Sequence, residues 1–403
     1  MSIPPPAPLT DFRSLAEMRL ADLEGIRLIL RGASVIDWQR LELTSEQQVR
    51  EFLAVQEFDL DDPASRARTE AIKNAAIAYL RRNFDFPIPK PVAQMDVAEL
   101  LQLASAKGHR QLCACTILKV MHIIHHLEAR ELLYMLPISD QDVFHLVEQK
   151  VYRVIGGMLA SGLPILEFIG GRKNRDSLYS KLLSKKETHA AQIYDKLRFR
   201  IVTRSPDDIF PVLAHLTRHL FPFNYVVPGQ TTNTMFDLRK YCGTSARLSE
   251  LARDLQPLVG EAAEDGPLVD NQFTSASYRV VHFVVDMPVR LPQEILDLAP
   301  PAAWALGRVV FAQAEFQVID RETEHGNEMG DASHDAYKER QKAAVMKRLK
   351  LGNVRPVAAP EPTTKSHPKL PPEKRPVPTR SSRPPSVRPP PPPPSAGKKG
   401  RKR

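Results

Sequence analysis

The chain has 403 residues and a formal charge of +9, but that charge is concentrated at one end. Thirteen Lys and Arg against two Glu give residues 355–403 a charge of +11 and leave the rest near −2. The basic pI therefore describes a tail, and a basic nucleic-acid-binding body is not implied. Three cysteines, Cys113, Cys115 and Cys242, exclude a disulfide framework, and Cys113-Ala114-Cys115 lacks the second pair that a zinc site needs.

The opening MSIPPPAPLTDF lacks a basic stretch followed by an apolar core, so no secretory signal is expected. Residues 1–165 are expected to form an all-helical domain. Ser45-Glu46-Gln47-Gln48 and Asp96-Val97-Ala98-Glu99 fit capping boxes, each followed by apolar residues at helical spacing. CACTILKVMHIIHHLEARELLYML is apolar nearly all round, which places it at the centre of a helical core. Its His122, His125, His126 and Glu128 invite a metal reading, but without a further ligand cluster core histidines are the better account. The uncharged run from Val154 to Leu166 is too short to span a bilayer and carries three glycines and a proline. No membrane association and a cytoplasmic location are expected.

From about Gly170 strands and helices alternate. Leu197–Arg204, Tyr278–Val289 and Val309–Asp320 have strand character, Pro206–Phe221 is an amphipathic helix, and Asp331–Leu351 resumes helical periodicity. The fold class is thus α/β (α+β), a mixed sheet flanked by helices over residues 166–352. Residues 353–403 hold 16 of the 36 prolines, including Pro389 to Pro394. They are expected to form a disordered basic tail of polyproline II character, able to hold RNA, an anionic surface or a proline-recognising domain.

Four pieces of the α/β region bear on chemistry. In GGRKNRDSLYSKLLSK, a helix from about Asp176 puts Ser177 and Lys181 on one face, with Lys173 just ahead. In IYDKLRFRIVT, Asp195 stands at the mouth of a strand and Arg200 lies within it. Tyr278 and His282 share a strand face, as do Glu315 and Gln317, opposite Ala314, Phe316 and Val318. A carboxylate in the polar face of a half-apolar strand either sees water or lines a site.

In this order and spacing the pieces resemble the synthetase domain of the RelA/SpoT homologue family of (p)ppGpp synthetases. Lys173, Ser177 and Lys181 match its R-x-K-x3-S-x3-K element, and Tyr194, Asp195 and Arg200 its next strand. Asn224-Tyr225-Val226-Val227-Pro228 approximates D-Y-I-x2-P, and Tyr278 with His282 matches G-Y-x-S-x-H. Glu315 and Gln317 match E-x-Q-x-R. Glu328, Gly330, Ala332, His334, Tyr337 and Lys338 fall at the spacing of the closing A-E-x-G-x2-A-H-W-x-Y-K.

The resemblance implies a nucleotidyltransferase-like sheet and transfer of the β,γ-diphosphate of ATP to the 3′-hydroxyl of a guanosine nucleotide. It implies Mg2+ held by Asp195 and Glu315, with Glu315 also placed to take or orient the hydroxyl proton. Lys173, Lys181 and Arg200 would neutralise phosphates, Tyr278 would stack on the acceptor base, and His282 would contact phosphate or ribose. The sequence also departs from the family. Gly171 replaces its first arginine, with Arg172 adjacent as a substitute, Val280 its serine, Ile319 the arginine of E-x-Q-x-R and Asp335 its tryptophan. Residues 229–274 insert beside the acceptor element. These changes fall mainly on acceptor residues, which keeps two alternatives open: transfer to the 3′ end of tRNA, and a non-catalytic nucleotide-sensing regulator.

Overall fold

Side-chain caps begin several of the helices in the computed structural model, which describes residues 12–32, 41–184, 196–255, 275, 277–329 and 333–349. Both predicted capping boxes form. Ser45 Oγ accepts from the Gln48 N–H at 3.2 Å while Gln48 Oε1 accepts from the Ser45 N–H at 3.1 Å. Asp96 and Glu99 exchange the same pair of bonds at 2.8 Å each. These caps satisfy amides that a helix start would otherwise leave without partners.

The helices in chain order are α1 (Leu20–Arg31), α2 (Glu46–Val55), α3 (Pro63–Phe84), α4 (Lys90–Gln94), α5 (Val97–Ser105), α6 (His109–Met135) and α7 (Asp140–Ala160). Strand β1 (Ile165–Arg172) and helix α8 (Arg175–Ser184) lead to β2 (Leu197–Thr203) and α9 (Ile209–His219). A short β3 (Thr232–Asn233), α10 (Leu238–Cys242) and α11 (Ala246–Asp254) precede β4 (Val281–Arg290). Two single turns, α12 (Gln293–Leu296) and α13 (Pro301–Trp304), lead to β5 (Val309–Asp320), α14 (Arg321–Asn327) and α15 (His334–Arg348).

The five strands form one mixed sheet in the order β1-β2-β5-β4-β3. Only the β2–β5 pairing is parallel, and the other three are antiparallel. The alternation of small and apolar residues along β5 has the expected consequence. Ala312, Ala314, Phe316 and Val318 enter the main core with Leu197, Phe199 and Ile201 of β2 and Val281, Phe283 and Val285 of β4. Residues of α1, α7 and α9 complete that core, so α7, although it precedes β1, packs with the sheet. A second core joins α2, α3, α5 and the first half of α6 through residues such as Val49, Ile72, Leu100 and Ile117.

Helix α6 departs from the expectation of all-round burial. It packs against α3, α5 and β5, yet Leu112, Ile123, Leu127 and Tyr134 stay exposed. Its length and composition would suffice to cross a bilayer; here most of its buried residues, such as Cys113, Ile117 and Leu132, belong to the two cores. All three cysteines are buried thiols outside any disulfide, as expected, and burial pushes the Cys115 thiol up to about 11. Among the described residues no group of three or more His, Cys, Asp and Glu is placed to hold a metal ion. Instead His126 stacks on Phe311 of β5 at 4.0 Å and pairs with Asp286 of β4 at 3.6 Å, while Glu128 pairs with Arg68.

Of the segment 229–274, the described residues fold onto the main core through Phe236, Leu238, Cys242, Leu248 and Leu251. Asp195, Tyr194, Gly330, Ala332 and the tail from residue 350 onward lie outside the described residues.

Candidate active site on the polar sheet face

The face of the sheet opposite the main core carries the polar members of each strand, and strand register sorts them into three rows. In the first, Gly171 of β1, Arg198 of β2, Glu315 of β5 and Val284 of β4 lie side by side. The second holds Ile169, Arg200, Gln317 and His282. Beyond it stand Glu167, Val202 and Ile319, and Val280 packs against the last two. Consecutive rows are two residues apart along each strand, so all of these side chains leave the same face.

Glu315 does not see bulk water: only 4 % of it is exposed. Gln317 Nε2 donates to Glu315 Oε1 at 2.6 Å, and His282 Nε2 stands 3.5 Å from the same oxygen. Arg200 continues the network, with Nε and Nη2 each 3.4 Å from Gln317 Oε1. The Gln317 amide thus accepts from the guanidinium and donates to the carboxylate, which fixes its orientation. Tyr278 closes the group. Burial raises its hydroxyl pKa, Glu315 adds to the rise, and Arg200, which hydrogen-bonds the phenol, and Arg198 pull it back.

Four sequence-predicted residues are therefore linked in one chain of contacts, Arg200 to Gln317 to Glu315 to His282, and Tyr278 joins it through Arg200. Lys173 directly follows β1, and its backbone N–H donates to the Lys196 carbonyl at 2.9 Å, beside the start of β2. Ser177 and Lys181 follow on α8. These two are half-buried, whereas Tyr179 and Leu183 are 56 % and 38 % exposed. Arg348 of α15 donates to the carbonyls of Leu182 and Leu183 at 3.1 and 3.0 Å. The contacts above do not link Lys173, Ser177 or Lys181 directly to Glu315.

Arg172 is unavailable as a substitute for the arginine that Gly171 replaces. Its guanidinium makes a bidentate pair with Glu148 of α7 at 2.6 and 2.8 Å. Gly171 itself faces open space, since a Cβ there would meet nothing within 4 Å. Two other departures from the family pattern touch one another: Ile319 and Val280 form a buried apolar cluster with Val202, against which Tyr278 and Met235 pack.

Two residues outside the sequence-predicted set belong to this face. Arg198 shares the row of Glu315, and the alternation Leu-Arg-Phe-Arg in β2 was the signal for it. Glu324 of α14, 6 % exposed, stands 3.7 Å from Arg200 and 3.0 Å from Arg321. It lines a cleft of about 440 Å³ with Glu167, Ile169, Arg200, Arg321, His325 and Glu328, open solvent included.

No family model and no curated protein matches the chain. Among solved structures it is similar to the small alarmone synthetase 2 from Bacillus subtilis. The identity is 16 %, over 53 % of this chain and 96 % of that one, at a TM-score of 0.29. It is also similar to the small alarmone synthetase 1 from Bacillus subtilis bound to its product pppGpp, at 16 % identity, 51 % and 84 % coverage and a TM-score of 0.26. A GTP pyrophosphokinase family protein from Streptococcus pneumoniae matches at 13 % identity, 54 % and 94 % coverage and a TM-score of 0.24.

Proposed function

We propose that the polar sheet face is the active site of an ATP-dependent pyrophosphokinase whose acceptor is the 3′-hydroxyl of a guanosine nucleotide. One observation carries the proposal: the buried Glu315 carboxylate, oriented by Gln317 and His282, lies in a row with Arg198 and next to the row of Arg200. A desolvated acceptor beside two cations suits a reaction in which a hydroxyl loses its proton while phosphate charge is held. Such chemistry depends mainly on positioning and charge neutralisation.

Glu315 takes or orients the proton of the acceptor hydroxyl as the new O–P bond forms at the β-phosphorus of ATP. The bond from that phosphorus to the α-phosphate oxygen breaks, and AMP leaves. Arg200, already hydrogen-bonded through Gln317 to the carboxylate, neutralises phosphate with Lys173 and Lys181. Tyr278 offers its ring to the acceptor base, and His282 a nitrogen to phosphate or ribose.

Magnesium prefers oxygen donors and commonly takes one or two carboxylates along with substrate phosphates and water. Glu315 supplies one such donor on this face and suits that cation. Asp195, in the segment leading into β2, is the second residue that would hold it. When bound, the ion would add charge stabilisation to the transferred group.

The test incubates the full chain with Mg2+, γ-labelled ATP and GDP or GTP, beside Asp195→Asn and Glu315→Gln. Label in a guanosine nucleotide, lost in both variants, is the expected result; no labelled product with either acceptor overturns the proposal. The apolar Val202–Val280–Ile319 cluster favours one second reading, an altered acceptor such as the tRNA 3′ end. Bulk tRNA in the same assay decides between the two.

A further inference from the structure

At one margin of the sheet stands the two-residue β3, and at the other the full-length β1, which pairs only with β2 among the described strands. Register fixes which backbone groups of β1 face outward. The Lys173 N–H donates to the Lys196 carbonyl, so residues 169 and 171, like 173, turn their amides and carbonyls toward β2. Phe168, Gly170 and Arg172 turn theirs away from the sheet. No hydrogen bond of the described residues reaches those outward backbone groups.

Such an edge is a template for another strand, and natural sheets blunt it with Lys, Pro or a bulge. In β1 the bulge lies at the start, between Ile165 and Glu167, and Phe-Ile-Gly-Gly beyond it carries neither Lys nor Pro. Apolar groups flank the edge on both faces of the sheet. Ile169, on the polar face, is 47 % exposed. On the core face the exposed Tyr152 of α7 stands edge-on to Phe168, with ring centres 5.7 Å apart.

The sequence of the strand indicates what fits it. Antiparallel pairing with a second β1, the twofold axis at Gly170, bonds outward groups only to outward groups. It sets Phe168 opposite Arg172 of the other copy, Ile169 opposite Gly171, and Glu167 opposite Lys173. Each match is complementary: an aromatic ring meets a guanidinium, a carboxylate meets an ammonium, and Ile169 fills the open space above Gly171. Moving the axis to Ile169 keeps the ladder but loses the charge match.

We propose that β1 is the interface of a symmetric dimer in which two copies of this chain join their sheets antiparallel across Gly170. An axis perpendicular to the sheet keeps both polar faces on one side. The row of Gly171, Arg198 and Glu315 then runs on to Ile169 of the other copy, which closes the open flank of the site. The interface stands on the edge alone, whether or not the polar face carries out the transfer proposed above.

Sedimentation equilibrium of the full chain is expected to give twice the chain mass. Ile169→Lys puts a cation on the edge and is expected to raise the dimer dissociation constant about tenfold or more. Leu166→Lys, at another exposed edge residue, is expected to act alike, with melting temperature reporting that each variant folds. Amide exchange read residue by residue tests the pairing itself. The Phe168, Gly170 and Arg172 amides are expected to slow about tenfold or more as concentration rises through the dissociation constant, while those of Gly171 and Lys173 keep their rates. Three results would overturn the proposal: a monomeric wild-type chain, undiminished dimer in both folded variants, or exchange at the outward amides that ignores concentration.

Discussion

Replacing Glu315 by glutamine removes one charge and one proton acceptor while keeping the shape of the side chain. In the wild-type structure this carboxylate is almost wholly buried, accepts from Gln317 Nε2 at 2.6 Å and lies 3.5 Å from His282 Nε2. A glutamine Oε1 can keep the bond from Gln317. Loss of its charge-assisted strength is offset by the lower cost of burying a neutral amide, so stability is expected to change by about 1 kcal/mol or less. The effect on rate is expected to be far larger. A positioned general base contributes about 10²–10⁴-fold, which corresponds to roughly 3–5 kcal/mol of barrier at 1.36 kcal/mol per decade. The assay is transfer of label from γ-labelled ATP to GDP or GTP at saturating Mg2+, with the melting temperature measured on the same preparation. A variant that melts like the wild type and turns over within tenfold of it would refute the role given to Glu315. One that melts far lower would refute the packing account instead.

Gly171→Arg adds a guanidinium to the row of Arg198 and Glu315, where a Cβ meets nothing within 4 Å. It is expected to lower the KM for ATP by about tenfold, the scale of one charge-assisted bond to phosphate, while Gly171→Ala leaves it unchanged. The contrasting change, Ile319→Arg, forces a cation into a position 1 % exposed among Val202 and Val280, and is expected to cost about 3–5 kcal/mol in denaturant unfolding. Stability is also expected to fall with acid. His122 and His125 have folded-state pKa values below the unfolded value, so the unfolded chain binds more protons and is favoured as pH drops below about 6.5. Unfolding at pH 7 and 5.5 is expected to differ by about 2–3 kcal/mol from these two residues together, and His125→Phe should remove about half of it.

Where sequence period and structure agree, local chemistry was sufficient. Strand β5 begins and ends at the residues that its alternation marks, Val309 and Asp320, because one of its faces is buried throughout. The capping boxes at Ser45 and Asp96 are local as well, each complete within four residues. Strand β1 was not legible: Leu-Glu-Phe-Ile-Gly-Gly breaks the alternation, and a bulge between Ile165 and Glu167 shifts its register. It holds its place by stacking Phe168 on Phe199 of β2. In the site, Glu315 and Gln317 were visible as a pair because they share one strand face, whereas Tyr278, expected on the strand of His282, lies three residues ahead of it, since β4 begins only at Val281. Their convergence depends on β5 pairing with β2 and β4 at once, a register that no single strand encodes. Glu324 was invisible for the same reason, since it reaches Arg200 only because α14 turns back beside the end of β5.

The strand that bears Glu315 also bears Phe311, against which His126 of α6 lies flat. Four residues of extended chain separate them, about 13 Å; β4 pairs with the strand over that whole length, and β2 joins it from Glu315 onward. Such a segment behaves as a stiff bar with the helical half at one end and the carboxylate at the other. Rocking α6 by even a fraction of an ångström has no slack loop in which to dissipate before it reaches Glu315.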